Sequence, residues 1–335
     1  MGWRCFLRKP NSRLFKLLTG VFIAILTIWL TFRKTDWAEL QGVFETAGWG
    51  YALAVLPALA ASYLFRIYRW VTLLAPMEKV SKVTAAPPLI TGFMLNSLLP
   101  GRLGEFARSA LLSRKTQIPF ASSFATVVIA RLFDGLALTG LALVVMAAMW
   151  TSLSHAVRGG LIAAGCGYIA ILLVLVALRK WHERTVRVIV WPLNRFKLNR
   201  AALAVEKMLL DFSAGLDILK DPGELLRVTF LSVLIWLSLC ASVIPVFMAL
   251  DIQWEWYYPA LVLVLAGFGM LIPTPAGAGT VHYALGVLFP AITGLPQAEA
   301  KAMALFFHAT QFLPVIIAGL AVSRGHLEVD GQMEP

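Results

Sequence analysis

The sequence predicts an all-α polytopic membrane protein, with about six full transmembrane spans plus two re-entrant hairpins arranged as an inverted repeat. Three observations predict it. Of 335 residues, 59% are hydrophobic and 14% charged, with mean hydropathy +0.77, whereas ordinary soluble domains carry about 25% charged residues. Several apolar runs approach the ~18–20 residues needed to cross a hydrocarbon core of ~30 Å. Two such runs end in Pro/Gly breaks, NSLLPGRLGEFAR (96–108) and IPTPAGAGT (272–280). The short alternating segments of a β-barrel do not occur.

The N-terminus carries Arg4, Arg8, Lys9, Arg13 and Lys16 without an acid, a cytoplasmic signature by the positive-inside rule. Run 14–32 is the first span. It is long for the apolar part of a signal peptide, and TFRKTDWAEL follows with no small-residue cleavage site, so it reads as an anchor. Segment 33–46, with Arg33 and Lys34 against Asp36, Glu39 and Glu45, lies outside. Run 47–65 returns, and Arg66, Arg69, Lys79 and Lys82 mark the inside.

The next apolar stretch, 85–99, holds 15 residues, only ~22 Å of helix and too short to cross upright. Arg102, Arg108, Arg114 and Lys115 follow it against one acid. Crossing would leave that basic segment outside; a hairpin turning back midway keeps both flanks inside. Irregular backbone at such depth requires protein or a wet cavity around it.

Run 121–150 then crosses outward with Arg131 and Asp134 inside it, and 159–178 returns. Segment 179–227 has ten Lys/Arg against six Asp/Glu and is a cytoplasmic amphipathic insertion. Within it Val205, Leu209, Phe212, Leu216 and Leu219 form one apolar stripe, suited to lying on the bilayer, capping the bundle or binding a partner. Run 228–250 leaves again toward DIQWEWYYP, whose Trp254, Trp256, Tyr257 and Tyr258 suit an outer interface. Runs 257–272 and 281–292 flank the second break, and 301–321 enters, so the C-terminus is also inside. The whole chain, 1–335, is one membrane domain.

The net charge of +11 is accounted for by these basic loops, so no nucleic-acid partner is implied. Cys5, Cys166 and Cys240 show no paired spacing, and no metal or cofactor is indicated. There is no Walker A sequence, GxSxG or HExxH, so no catalytic machinery is visible.

The two breaks align. Pro100 and Gly104 match Pro275 and Gly279, and IPFASSFA (118–125) matches LPQAEAKA (295–302). Counted from Pro119, Arg131 and Asp134 stand at the same offsets as His308 and Gln311 counted from Pro296. The halves 14–150 and 159–321 begin in opposite orientations, a transporter-like arrangement with a site near the midplane.

Arg131 and Asp134 cost about 2.5–3.5 kcal/mol each at a bilayer centre, so they must be satisfied within the bundle. They form either a mutual pair gluing helices or one wall of a charged cavity. Arg102, Glu105 and Arg108 are expected on one face of the helix after Pro100–Gly101. With Arg131, Asn96 and that helix start they suit phosphate, through guanidinium forks and N–H donors. A plainer use of Arg102 and Arg108 is contact with cytoplasmic-leaflet phosphates. In the second break Thr280 is placed to cap the following helix, and Gly277 and Gly279 permit the tight turn. His282 and His308 are either structural or functional.

In N-x-x-x-P-G-R-x-G-E-x-x-R (96–108), R-x-x-D (131–134) and P-x-P-x-G-x-G-T (273–280), the chain resembles the transmembrane region of lysylphosphatidylglycerol synthase/flippase proteins over roughly 12–322. The resemblance implies a bacterial inner-membrane protein that moves, or helps to move, a polar-headgroup lipid between leaflets; the alternative reading is a membrane subunit that presents lipid to a lipid-modifying glycosyl- or acyl-transferase without transporting it. It also implies site residues: Asn96, Arg102, Glu105, Arg108, Arg131, Asp134 and the Pro273–Thr280 turn. His282 and His308 stand where the family often has Glu and Arg. The synthase's soluble aminoacyl-transferase domain has no counterpart in this sequence, so synthesis of aminoacylated lipid is not expected of it.

Overall fold

The computed structural model describes residues 11–150, 155–195, 198–272 and 274–331, and these are helical without a strand. The protein is an all-α membrane protein. Six helices run 22 residues or more: α1 (Asn11–Phe32), α3 (Tyr51–Leu74), α6 (Phe120–Ala148), α7 (His155–Lys180), α10 (Pro222–Ala249) and α14 (Gln297–Gly331). Each exceeds the ~20 residues a crossing requires.

Local chemistry sets several starts. Segment 33–46 contains a helix of its own, α2 (Trp37–Glu45), which Asp36 begins by accepting the N–H groups of Ala38 and Glu39. Asp221 does the same for α10, with Pro222 in the first turn where no N–H is needed.

Both Pro/Gly breaks are hairpin turns. Helix α4 (Lys82–Leu98) is followed by a 3₁₀ turn, Pro100–Arg102, and by α5 (Leu103–Ser113). The two helices run back to back: a Cβ on Gly104 would overlap the Gly92 carbonyl oxygen, and one on Gly92 would lie 2.7 Å from Arg108 Cβ. In the second, α11 (Tyr258–Gly269) precedes the turn Pro275–Gly277, and the chain returns through α12 (Thr280–Tyr283), a π turn and α13 (Phe289–Thr293). Tyr258 and Phe289 pack edge to face at 5.3 Å, pairing the far ends of this hairpin. Pro100, Gly101, Gly104, Pro275, Gly277 and Gly279 all lie at these turns; Pro273 lies outside the described residues.

Lipid tails give little drive for helices to associate, so close contact through small residues matters more than apolarity. The main core draws on α3, α10, α11 and α14 through Val55, Leu59, Phe247, Leu261, Met303 and Phe307. The inserted segment 179–227 folds mainly as α8 (His182–Arg195) and α9 (Asn199–Gly215), and its stripe is divided. Val205 and Leu209 meet Val186 and Val190 of α8, while Phe212, Leu216 and Leu219 join Leu73, Ala125 and Ile129. The stripe caps the bundle on one side and holds α8 on the other.

One boundary departs from expectation in a way that matters. The span placed at 47–65 continues as α3 to Leu74 and carries Arg66 and Arg69 into the bundle. They are not loop charges at the membrane edge. Hydropathy falls at Arg66 because a windowed count sees two cations and cannot see the acid that meets them from α6.

Candidate functional site

That acid is Asp134. Arg69 Nη2 lies 2.8 Å from its Oδ1, while Arg131 Nη1 and Arg66 Nη1 lie 3.2 Å and 3.5 Å from its Oδ2. Arg131 also turns its Nε to Glu105 Oε1 at 2.6 Å, joining α6 to α5. Arg69 donates besides to Ser232 Oγ on α10 at 2.9 Å. The i, i+3 pair of Arg131 and Asp134 therefore exists, but as part of a network over four helices rather than as a local staple.

Arg108 completes the group from α5. It is buried, its guanidinium lies 4.7 Å from the Trp70 ring centre, and its Nε has no hydrogen-bond partner. Trp70 is itself fixed by donating to Thr126 Oγ1 at 3.0 Å. Phe93 of α4 presents its ring to two guanidiniums, Arg66 at 5.0 Å and Arg131 at 5.3 Å, a cation–π floor. A cavity of about 10 Å³, the scale of one water, is lined by Arg66, Arg69, Trp70, Arg108, Arg131 and Asp134 among others.

Four guanidiniums (66, 69, 108, 131) thus face two carboxylates (105, 134), a formal excess of two positive charges inside the bundle. Buried charge is retained when it is paired; here both carboxylates take part in ion pairs and the surplus resides on arginine.

Arg102 does not join this group. It precedes α5 rather than sitting on its face, with left-handed backbone (φ 55°), and its Nη2 donates to the Met270 carbonyl of the second hairpin at 3.4 Å. The expected Arg102–Glu105–Arg108 face is therefore split, because φ > 0 turns residue 102 out of the helical register. Asn96 sits where α4 crosses α5, half-buried, with its Oδ1 unpartnered.

The second-half candidates form another cluster. His282 and His308 have ring centres 4.6 Å apart, and His308 stacks on Phe312 at 4.4 Å. Gln311 donates to Ser242 Oγ of α10 at 3.0 Å. Thr280 does not cap its helix: its hydroxyl donates to Gly277 O at 3.0 Å, and the Gly279 N–H is taken by His282 Nδ1 at 3.3 Å. The longer imidazole reaches back to the helix start, and the threonine closes the turn instead.

Residues 17–319 match the family described as lysylphosphatidylglycerol synthase TM region. The chain belongs to that family. The protein is also similar to Glycosyltransferase AglD of Haloferax volcanii, 25% identical over 354 aligned residues that take in 95% of this chain and 55% of AglD. It thus spans about half of AglD's length. It is also 25% identical over 226 residues to UPF0104 membrane protein MJ1078 of Methanocaldococcus jannaschii, covering 67% of this chain and 91% of that one.

In this member of the lysylphosphatidylglycerol synthase TM region family, reasoning from sequence missed Arg66 and Arg69. A usable signal existed. They stand three apart, one helical turn, and Trp70 follows directly, an arrangement suited to a helix interior as much as to a membrane edge.

Proposed function

We propose that the protein is a flippase-like transporter that moves a lipid with a phosphate-bearing polar headgroup, an anionic phospholipid or an isoprenoid-type lipid, between the leaflets of a bacterial inner membrane. The observation that carries this reading is the excess of two positive charges, with Arg108 buried, in no ion pair among the described residues and its Nε without a hydrogen bond. A phosphate is the common membrane anion that meets such a group: guanidinium forks bind it bidentately, and the low-dielectric surround strengthens each contact. Leaving a headgroup unpaired in hydrocarbon costs several kcal/mol; replacing its hydration with arginine lowers that barrier.

The cavity of about 10 Å³ makes this a closed arrangement, so a phosphate enters as α5 moves away from α3. The two hairpins, entering from opposite faces in halves 14–150 and 159–321, supply such a movable pair. With N- and C-termini in the cytoplasm, the first opens inward and the second outward. Reconstituted protein should flip fluorescent anionic or isoprenoid lipids, with Arg108→Ala and Arg131→Ala slowing the rate at least tenfold. Unchanged rates in both variants overturn the site.

A second reading has a specific support, the similarity of nearly the whole chain to half of a protein named a glycosyltransferase. In it the protein presents lipid to a glycosyl- or acyl-transferase without transporting it. Co-purification of such an enzyme, together with absence of flipping, selects this reading.

A further inference from the structure

The stripe of α9 is used up inside the fold, but α8 carries a second one that is left bare among the described residues. Trp181, directly before the helix, and Arg184, Val188, Trp191 and Arg195 recur at 3-4-3-4 spacing, which puts them on one helical face. All five are exposed, Trp181 by 53%, Val188 by 71% and Trp191 by 64%. Val186 and Val190, on the opposite face, are buried against Ala202 of α9. Apolar residues scattered singly over a surface need no explanation. Two tryptophans and a valine in register with two arginines do.

The arm that carries this face is fixed to the bundle. Ser122 of α6 donates to the Asp211 carbonyl at 2.6 Å, and a Cβ on Gly215 would overlap the Ser122 carbonyl oxygen, so α9 is locked against α6. Helix α8 packs in turn on α9 and α7. Beside the stripe, Trp181, Arg184, Val188 and Ile189 line an open groove of about 420 Å³.

Three observations identify what covers the face. Helix α8 begins two residues after α7 ends at Lys180, and α7 exposes Ile162, Ile169, Ile171, Leu173 and Val174, as a helix side in hydrocarbon does. The stripe therefore starts where an apolar helix surface stops. Segment 179–200 holds seven Lys/Arg against one Asp/Glu, the complement of an anionic surface. Finally, tryptophan and arginine share the one face. The buried centre of a protein–protein interface is depleted in charge. At a membrane surface the two types belong together: tryptophan lies at headgroup level, and arginine runs its aliphatic stem along the apolar boundary with its guanidinium at the phosphates.

We propose that α8 is an interfacial helix that binds anionic lipid at the membrane surface. Trp181, Val188, Ile189 and Trp191 enter the boundary of the acyl chains, and the groove receives one chain. Arg184, Arg187 and Arg195, all exposed, meet the headgroup phosphates. This lipid is a docking surface for the protein and not its cargo. The Arg66–Arg69–Arg108–Arg131 cluster takes no part, and the proposal stands whether or not the protein moves lipid.

Fluorescence quenching tests it. In a background with Cys5, Cys166 and Cys240 replaced by serine, Val188→Cys is labelled with a polarity-sensitive fluorophore. The protein is placed in nanodiscs of phosphatidylcholine, with or without phosphatidylglycerol, whose acyl chains are plain or brominated. With phosphatidylglycerol the emission should move to the blue, and brominated chains should quench it at least twofold. Quenching should fall by about half or more in phosphatidylcholine alone, and likewise with phosphatidylglycerol when Arg184→Gln and Arg195→Gln are combined. Raising the ionic strength should weaken quenching of the labelled protein with its arginines intact, so the result does not depend on how the double variant folds. No quenching in either lipid overturns the proposal. A blue shift without quenching makes the cover a protein, a second copy or another chain, and overturns it equally. Quenching equal in both lipids and indifferent to salt overturns the anionic assignment. A protein that moves no lipid still gives the expected signals, so failure of transport and failure of this site are told apart.

Discussion

Asp134 on α6 and Arg69 on α3 lie 2.8 Å apart, and the same carboxylate also meets Arg66 and Arg131. One acid thus organises three cations from two helices. The asymmetry makes a prediction. Asp134→Asn leaves three buried guanidiniums without their shared anion and should cost about 3–5 kcal/mol, the usual loss when one partner of a buried pair is removed. Arg69→Met leaves Asp134 with two remaining cations and should cost roughly 1–2 kcal/mol, as for an ordinary lost charged hydrogen bond. Thermal unfolding in detergent checks the order; an equal loss in both sinks the shared-anion account.

Arg108 should behave in the opposite way. Its charge is buried with Nε unpartnered, so the folded state gains little from it. Arg108→Met, which keeps the aliphatic stem over Trp70, should melt within ~1 kcal/mol of the parent or above it. Lipid-phosphate binding should fall at least tenfold. Marked unfolding of this variant with intact lipid binding contradicts the assignment.

The glycines offer a graded series. Gly104→Ala drives a methyl into the Gly92 carbonyl, and since neither backbone can yield locally it should cost about 3 kcal/mol, the upper range for overpacking. Gly42, inside α2 with open space around it, should instead gain up to about 1 kcal/mol as alanine. Melting temperatures ordered Gly42→Ala, parent, Gly104→Ala are expected.

Gln311 and Ser242 provide the counterpart of Asp134 and Arg69, joining the helix after the second hairpin to the helix before it. A double-mutant cycle with Gln311→Leu and Ser242→Ala should give a coupling of about 0.6 kcal/mol, typical of neutral hydrogen bonds in membranes. A value near zero removes the bond from the account. One above ~1.7 kcal/mol makes it as important as the charged network.

Much of this architecture was legible along the chain. The 15-residue limit on 85–99 and the charge behind it pointed to a hairpin, and the structure places Gly92 against Gly104 as a hairpin requires. The matched offsets of Arg131/Asp134 and His308/Gln311 picked out residues that face partners inside the bundle. Other features were not legible. Arg102 was grouped with Glu105 and Arg108 by spacing, which assumes a helix that had not yet begun; a single positive φ sends it elsewhere. Thr280 was favoured as a cap by residue type, but the helix begins one residue earlier than expected, so Gly279 takes the cap position and the Thr280 hydroxyl donates to Gly277 O.

The sequence by itself determined the membrane class, the all-α fold and the places where two of the shorter helices break. Those properties depend on quantities local to a segment: its apolar length against the thickness of hydrocarbon, and the backbone limits of proline and glycine. Only the tertiary structure decided which charges meet. Whether Arg66 and Arg69 mark a membrane edge or share a carboxylate depends on the position of Asp134, 68 and 65 residues away. Ion pairs and hydrogen bonds fall off steeply with distance in space, and helix packing, through contacts such as Gly92 on Gly104, fixes that distance.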